Sequence, residues 1–116
     1  MGQLEVQTLV IEVKGINDSK IEEVVKKIEE NKNKSLDDFM FNYGYRLDPK
    51  EQIEVRRKML SPVKLEREKD RVVIKMPMMV LKGIKGRLIK SLTVRMIKSA
   101  MKKELGKERD VNVYWG

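Results

Sequence analysis

Between Arg71 and Lys103 the chain places ten cations in 33 residues and not one Asp or Glu. Lysine and arginine at that density neutralise the oxygens of phosphates, carboxylates or lipid headgroups, Arg as a planar fork and Lys as a point charge. The whole chain carries 26 basic and 18 acidic residues, a net charge of +8, and the 83 residues outside this stretch are close to neutral. A field of one sign confined to one segment attracts polyanions and speeds their encounter. Lys82, Gly83, Lys85, Gly86, Arg87, Lys90, Arg95, Lys98 and Lys102 are therefore the candidate binding residues, and nucleic acid is the expected partner. Charge alone does not separate DNA from RNA.

Gly83 and Gly86 sit three apart directly ahead of a helical stretch. Their backbone is free to approach a ligand, and a helix N-terminus adds N–H donors for an anion. The run Val80-Leu81-Lys82-Gly83-Ile84-Lys85-Gly86-Arg87-Leu88-Ile89 resembles the Gly-x-x-Gly loop of KH domains, which clamps a nucleic-acid backbone. The resemblance spans about a tenth of the chain, matches Ile89 in spacing and implies loop-tip positions for Ile84 and Lys85. Lys82 stands where that family usually has an apolar residue. The same two glycines also suit a plain turn between a strand and a helix.

Other chemistries are narrowed by what the composition lacks. Without cysteine there is no disulfide, thiolate metal site or cysteine nucleophile. Without histidine the usual neutral-pH base and the commonest metal ligand are missing. Glu12-Val13-Lys14 has the Glu-x-Lys form of one arm of a metal-dependent nuclease, in which carboxylates hold Mg²⁺ and the Lys positions the nucleophile. That site also needs an upstream Asp, and only Glu5 precedes Glu12. The expectation is a non-enzymatic binder with no catalytic residue, metal or cofactor. The alternative is a protein-interaction or regulatory module docking on an acidic partner, with the Glu12 and Lys14 nuclease a more distant third.

The elements that must position these groups follow from periodicity. Residues 4–14 alternate and then become a dense β-branched run, which reads as a partly buried strand ended by Gly15. Ser19 and Glu22 form a capping box for a helix carrying Ile21, Val24, Val25 and Ile28. The polar stretch 31–34 reads as a loop, and Ser35 with Asp38 as the start of a second, short helix that Gly44 stops. Asp48-Pro49 opens a third helix that ends before Ser61-Pro62. These last two helices have the order of a helix-turn-helix, with Arg56, Arg57 and Lys58 on the second member.

Residues 63–67 and 71–75 read as a hairpin, with Pro77 where pairing stops or where the strand lies at an edge. Met76, Met78 and Met79 suit either core filling or an adaptable surface. Residues 87–105 form a long helix with a broad apolar face of Leu88, Ile89, Leu92, Met96, Ile97, Ala100 and Met101. Arg87, Ser91, Arg95, Lys98 and Lys102 fall on the opposite side. A last strand at 111–115 brings Tyr114 and Trp115, to stack on a base or to cover the core edge.

The expected architecture is one α+β domain over residues 1–116. It has a mostly antiparallel sheet of about four strands with helices packed on one face, in the order β-α-α-α-β-β-α-β. The apolar breadth of residues 88–105 suits a homodimer. The first residues lack a signal-peptide block and no apolar run reaches membrane-spanning length, so a cytoplasmic location is expected.

Overall fold

The computed structural model describes residues 4–15 and 19–116. Its elements are β1 (Leu4–Lys14), α1 (Ser19–Tyr43), a 3-10 turn (Gly44–Arg46), α2 (Pro49–Met59), β2 (Lys64–Arg67), β3 (Arg71–Leu81), α3 (Ile84–Leu105) and β4 (Val111–Trp115). β1 and β3 pair along their whole length, from Leu4 opposite Leu81 to Lys14 opposite Arg71. β4 joins the free side of β1 and β2 that of β3, all antiparallel, in the order β2-β3-β1-β4. β1 therefore runs parallel to β2 across β3, and β3 parallel to β4 across β1. Each crossover straddles a strand of the other, a split β-α-β arrangement within the expected α+β class.

Alternation along the strands sets the packed face. Leu9, Ile11 and Val13 of β1 and Val72, Ile74 and Met76 of β3 are buried with Ile21 and Val24 of α1, Met101 and Leu105 of α3, and Val111 and Val113 of β4. Burial contributes roughly 1.5–3 kcal/mol per large apolar side chain, which holds α1 and α3 against the sheet. A second cluster seats α2 at the end of the β1–β3 ladder from which α3 departs. It joins Leu36, Val55 and Met59 to Leu4, Val6, Met40, Leu47 and Met79.

The 31–34 stretch is helix, not loop, so the two helices expected before Gly44 are one of 25 residues. The inward stripe runs Ile21, Val24, Ile28, Lys32, Leu36, and Lys32 is the position that hides it from a hydropathy reading. Lys32 is buried, its ammonium bound by Glu29 at 2.7 Å and by the Ser61 carbonyl. The stem takes an apolar position while the head finds its own oxygens. With no Gly or Pro in the stretch, nothing interrupts the helix, and the Ser35 and Asp38 capping signal goes unused.

Asp48 does cap α2, accepting the Glu51 N–H at 2.9 Å with Pro49 in the first turn. Pro77 lies inside β3 opposite Thr8, beyond the last β2 pair at Lys64 and Lys75. The Thr8 carbonyl accepts from Gly116, so it is turned away from β3. The Pro77 nitrogen thus faces a side of β3 that no strand occupies, where a missing N–H costs no ladder bond. No helix among the described residues is long and apolar enough to cross a membrane.

Candidate nucleic-acid interface

α3 begins where the chain leaves β3. Gly83 takes φ 93°, a left-handed backbone that glycine adopts without strain, and stands as the N-cap. Gly86 is buried against the Leu81 carbonyl so closely that a Cβ would overlap it. The glycine pair is therefore the turn between a strand and a helix. Gly86, Met101 and Leu105 are buried and Lys90, Val94 and Ile97 half-buried, a stripe at helical spacing that faces the sheet.

The broad apolar face of α3 is divided. Ile97 and Met101 pack, while Leu88, Ile89, Leu92, Met96 and Ala100 are exposed. Seating a helix on a sheet uses a sector of roughly 100°, and the apolar residues of α3 span much more than that. The close approach of Gly86 to Leu81 selects the sector in line with it. At 100° per residue, Ile84, Leu88, Leu92 and Met96 then form a ridge on the outward side.

Arg87, Ser91, Arg95, Lys98 and Lys102 occupy one flank of α3, between the buried stripe and that ridge. Among the described residues no carboxylate lies within ion-pairing distance of Lys82, Lys85, Arg87, Arg95, Lys98 or Lys102. From Arg87 to Lys102 the row is about 22 Å long at 1.5 Å per residue. Lys90 is the member of the set that turns inward. Its ammonium donates to Gln7 at 2.8 Å and lies 5.1 Å from the Trp115 ring centroid, and the Trp115 indole donates to the Lys90 carbonyl at 3.3 Å.

The cations of β3 are spoken for. Arg71 pairs with Glu68 at 2.6 Å and Glu12 at 3.3 Å, and Lys75 with Glu66 at 3.2 Å. The hydrogen bond that Arg71 donates to Glu68 and the nearby Glu12 and Glu68 charges hold its guanidinium above its usual pKa. Glu12 also accepts the Tyr114 hydroxyl at 2.9 Å, and that bond, with some desolvation, raises the phenol. The Glu12 carboxylate is thus committed to an internal network, and no group of three metal-ligating side chains occurs among the described residues. In α2, Arg57 and Lys58 share Glu54 at 2.9 and 3.2 Å, so the helix-turn-helix cations are partly neutralised.

Two further surfaces escape a sequence reading. Four of the six aromatic residues lie within residues 39–45, and Phe41, Tyr43 and Tyr45 are exposed. The Arg46 guanidinium is 5.6 Å from both the Tyr43 and Tyr45 ring centroids. Their clustering was the available signal. The other surface is a groove of about 380 Å³ between α1 and α3, floored by Ile11, Met76, Met78 and Met79 and edged by the Lys27–Glu104 pair. Only tertiary structure brings it together. No family model, curated protein or solved structure matches the chain.

Proposed function

We propose that the chain is a small, basic, non-enzymatic nucleic-acid-binding protein that meets phosphates through residues 82–103. The observation that carries this reading is the contrast in charge partners. Arg67, Arg71 and Lys75 on the sheet and Arg57 and Lys58 on α2 are paired with carboxylates, whereas Lys82, Lys85, Arg87, Arg95, Lys98 and Lys102, all from one segment, have none within ion-pairing distance among the described residues. A row of about 22 Å matches the rise of some six or seven nucleotides at roughly 3.4 Å each. Gly83 and Gly86 place Lys82 and Lys85 at the head of the row. Lys90 serves the fold.

Aromatic stacking on the sheet has little support, because Tyr114 is tied to Glu12 and Trp115 to Lys90. Backbone contact without base readout fits the residues best. The test is binding to duplex DNA, single strands and structured RNA over a salt series. With about five phosphates neutralised on a duplex, the log–log slope is near −4 to −5. Arg95→Glu, Lys98→Glu and Lys102→Glu combined should weaken binding and flatten the slope by about three contacts. A folded triple variant with unchanged affinity and slope would overturn the reading.

A further inference from the structure

We propose that the outward ridge of α3 docks an amphipathic helix of a partner protein, apolar along one stripe and acidic along the adjoining flank. This goes beyond phosphate binding and holds whether or not the row also meets nucleic acid. Ile84, Leu88, Leu92 and Met96 are 79, 65, 56 and 70 % exposed. Spaced four apart, they form one continuous ridge about 18 Å long, the geometry that interdigitates with a second helix. Among the described residues nothing covers it.

The surroundings select the occupant. Arg95 and Lys102 border the ridge on one side without carboxylate partners among the described residues. A second copy packed antiparallel would set this cationic flank against its own twin, a like-charge arrangement that disfavours it. Carboxylates along one side of a foreign helix would neutralise it. On the other side Met96 and Ala100 lead into the methionine-floored groove, where flexible thioether side chains adapt to whatever enters. Side chains of a helix reach into that groove, whereas a flat lipid surface does not.

The probe is a labelled five-turn peptide with Leu at every fourth position and Glu along one flank, titrated into the full chain by anisotropy. A second peptide carries Lys in place of Glu. Saturable binding of the Glu peptide is expected, weakened about tenfold or more by the Lys exchange, by Leu88→Ser with Leu92→Ser, and by Arg95→Ala with Lys102→Ala. Leu88, Leu92 and Arg95 are exposed and Lys102 half-buried, and circular dichroism checks that each variant folds. No saturation, or equal binding to the serine variant, overturns the proposal. So does a dimer in sedimentation that Leu92→Ser dissolves, which makes the occupant a second copy. Flotation with phosphatidylserine vesicles that the same serines abolish makes it a lipid surface and also overturns it. No nucleic acid is present in the titration, so its failure leaves the phosphate reading standing.

Discussion

Glu29 joins Lys32 to Val63, one carboxylate oxygen 2.7 Å from the buried ammonium and the other accepting the backbone N–H at 2.7 Å. One side chain thereby ties the middle of α1 to the entry of β2. Burial raises the Glu29 pKa, but the hydrogen bonds from Lys32 and Val63 outweigh it and the carboxyl lies below its ordinary 4.5.

Removing that carboxylate leaves Lys32 charged without its counter-ion. Glu29→Gln is expected to cost about 1.5–3 kcal/mol in urea unfolding, the range for hydrogen bonds to charged groups. Lys32→Met combined with Glu29→Gln removes both charges and keeps the stem, so the double variant should recover much of that loss. The carboxyl is depressed in the fold, so its contribution is present above 4.5 and fades as pH falls through the folded value. Unfolding midpoints of wild type and Glu29→Gln should therefore converge on acidification.

Lys90 separates the structural cations from the exposed row. Lys90→Ala should lower stability by about 0.5–1.5 kcal/mol through loss of the Gln7 hydrogen bond and the Trp115 contact. Its salt slope for nucleic acid should match wild type. A slope reduced by a full contact would place Lys90 in the interface instead.

The two glycines ahead of α3 differ in kind. Gly86→Ala drives a methyl into the Leu81 carbonyl and should cost at least about 3 kcal/mol, or prevent folding altogether. Gly83→Ala meets open space and bears only a strained φ, at a cost of about 1–2 kcal/mol. Thermal melts of the two variants give the order directly.

Tyr114 titrates late because its hydroxyl is bound to Glu12. In an absorbance titration Tyr114 should ionise above the ordinary 10.0, and Glu12→Gln should bring it back toward that value. The raised phenol gives stability that is present below 10.0 and is lost as pH rises through the folded value. Incubated with plasmid and Mg²⁺, the wild-type protein is expected to leave the DNA intact.

Where local chemistry decides the backbone, the sequence was readable. Asp48-Pro49 opens α2 and Gly44 follows the end of α1 because a cap, a fixed φ and a missing side chain act on their own neighbours. Residues 31–34 misled because Lys32 supplies an apolar stem under a polar name. The rotation of α3 was hidden for a different reason. Its apolar residues cover more than one seat, and the contact of Gly86 with Leu81, formed only in the fold, picks which of them pack. The cation row kept its grouping because spacing along one helix survives any rotation, while Lys75 met Glu66 across the hairpin and Arg71 and Lys90 found Glu12 and Gln7 from distant parts of the chain.

Trp115 is the chain's sole indole, and it is fastened to the carbonyl of Lys90. The protein thus carries a native fluorophore at the seam between its last strand and its basic helix. Any lifting, sliding or clamping of that helix when a ligand arrives will register as a change in emission, with no label attached.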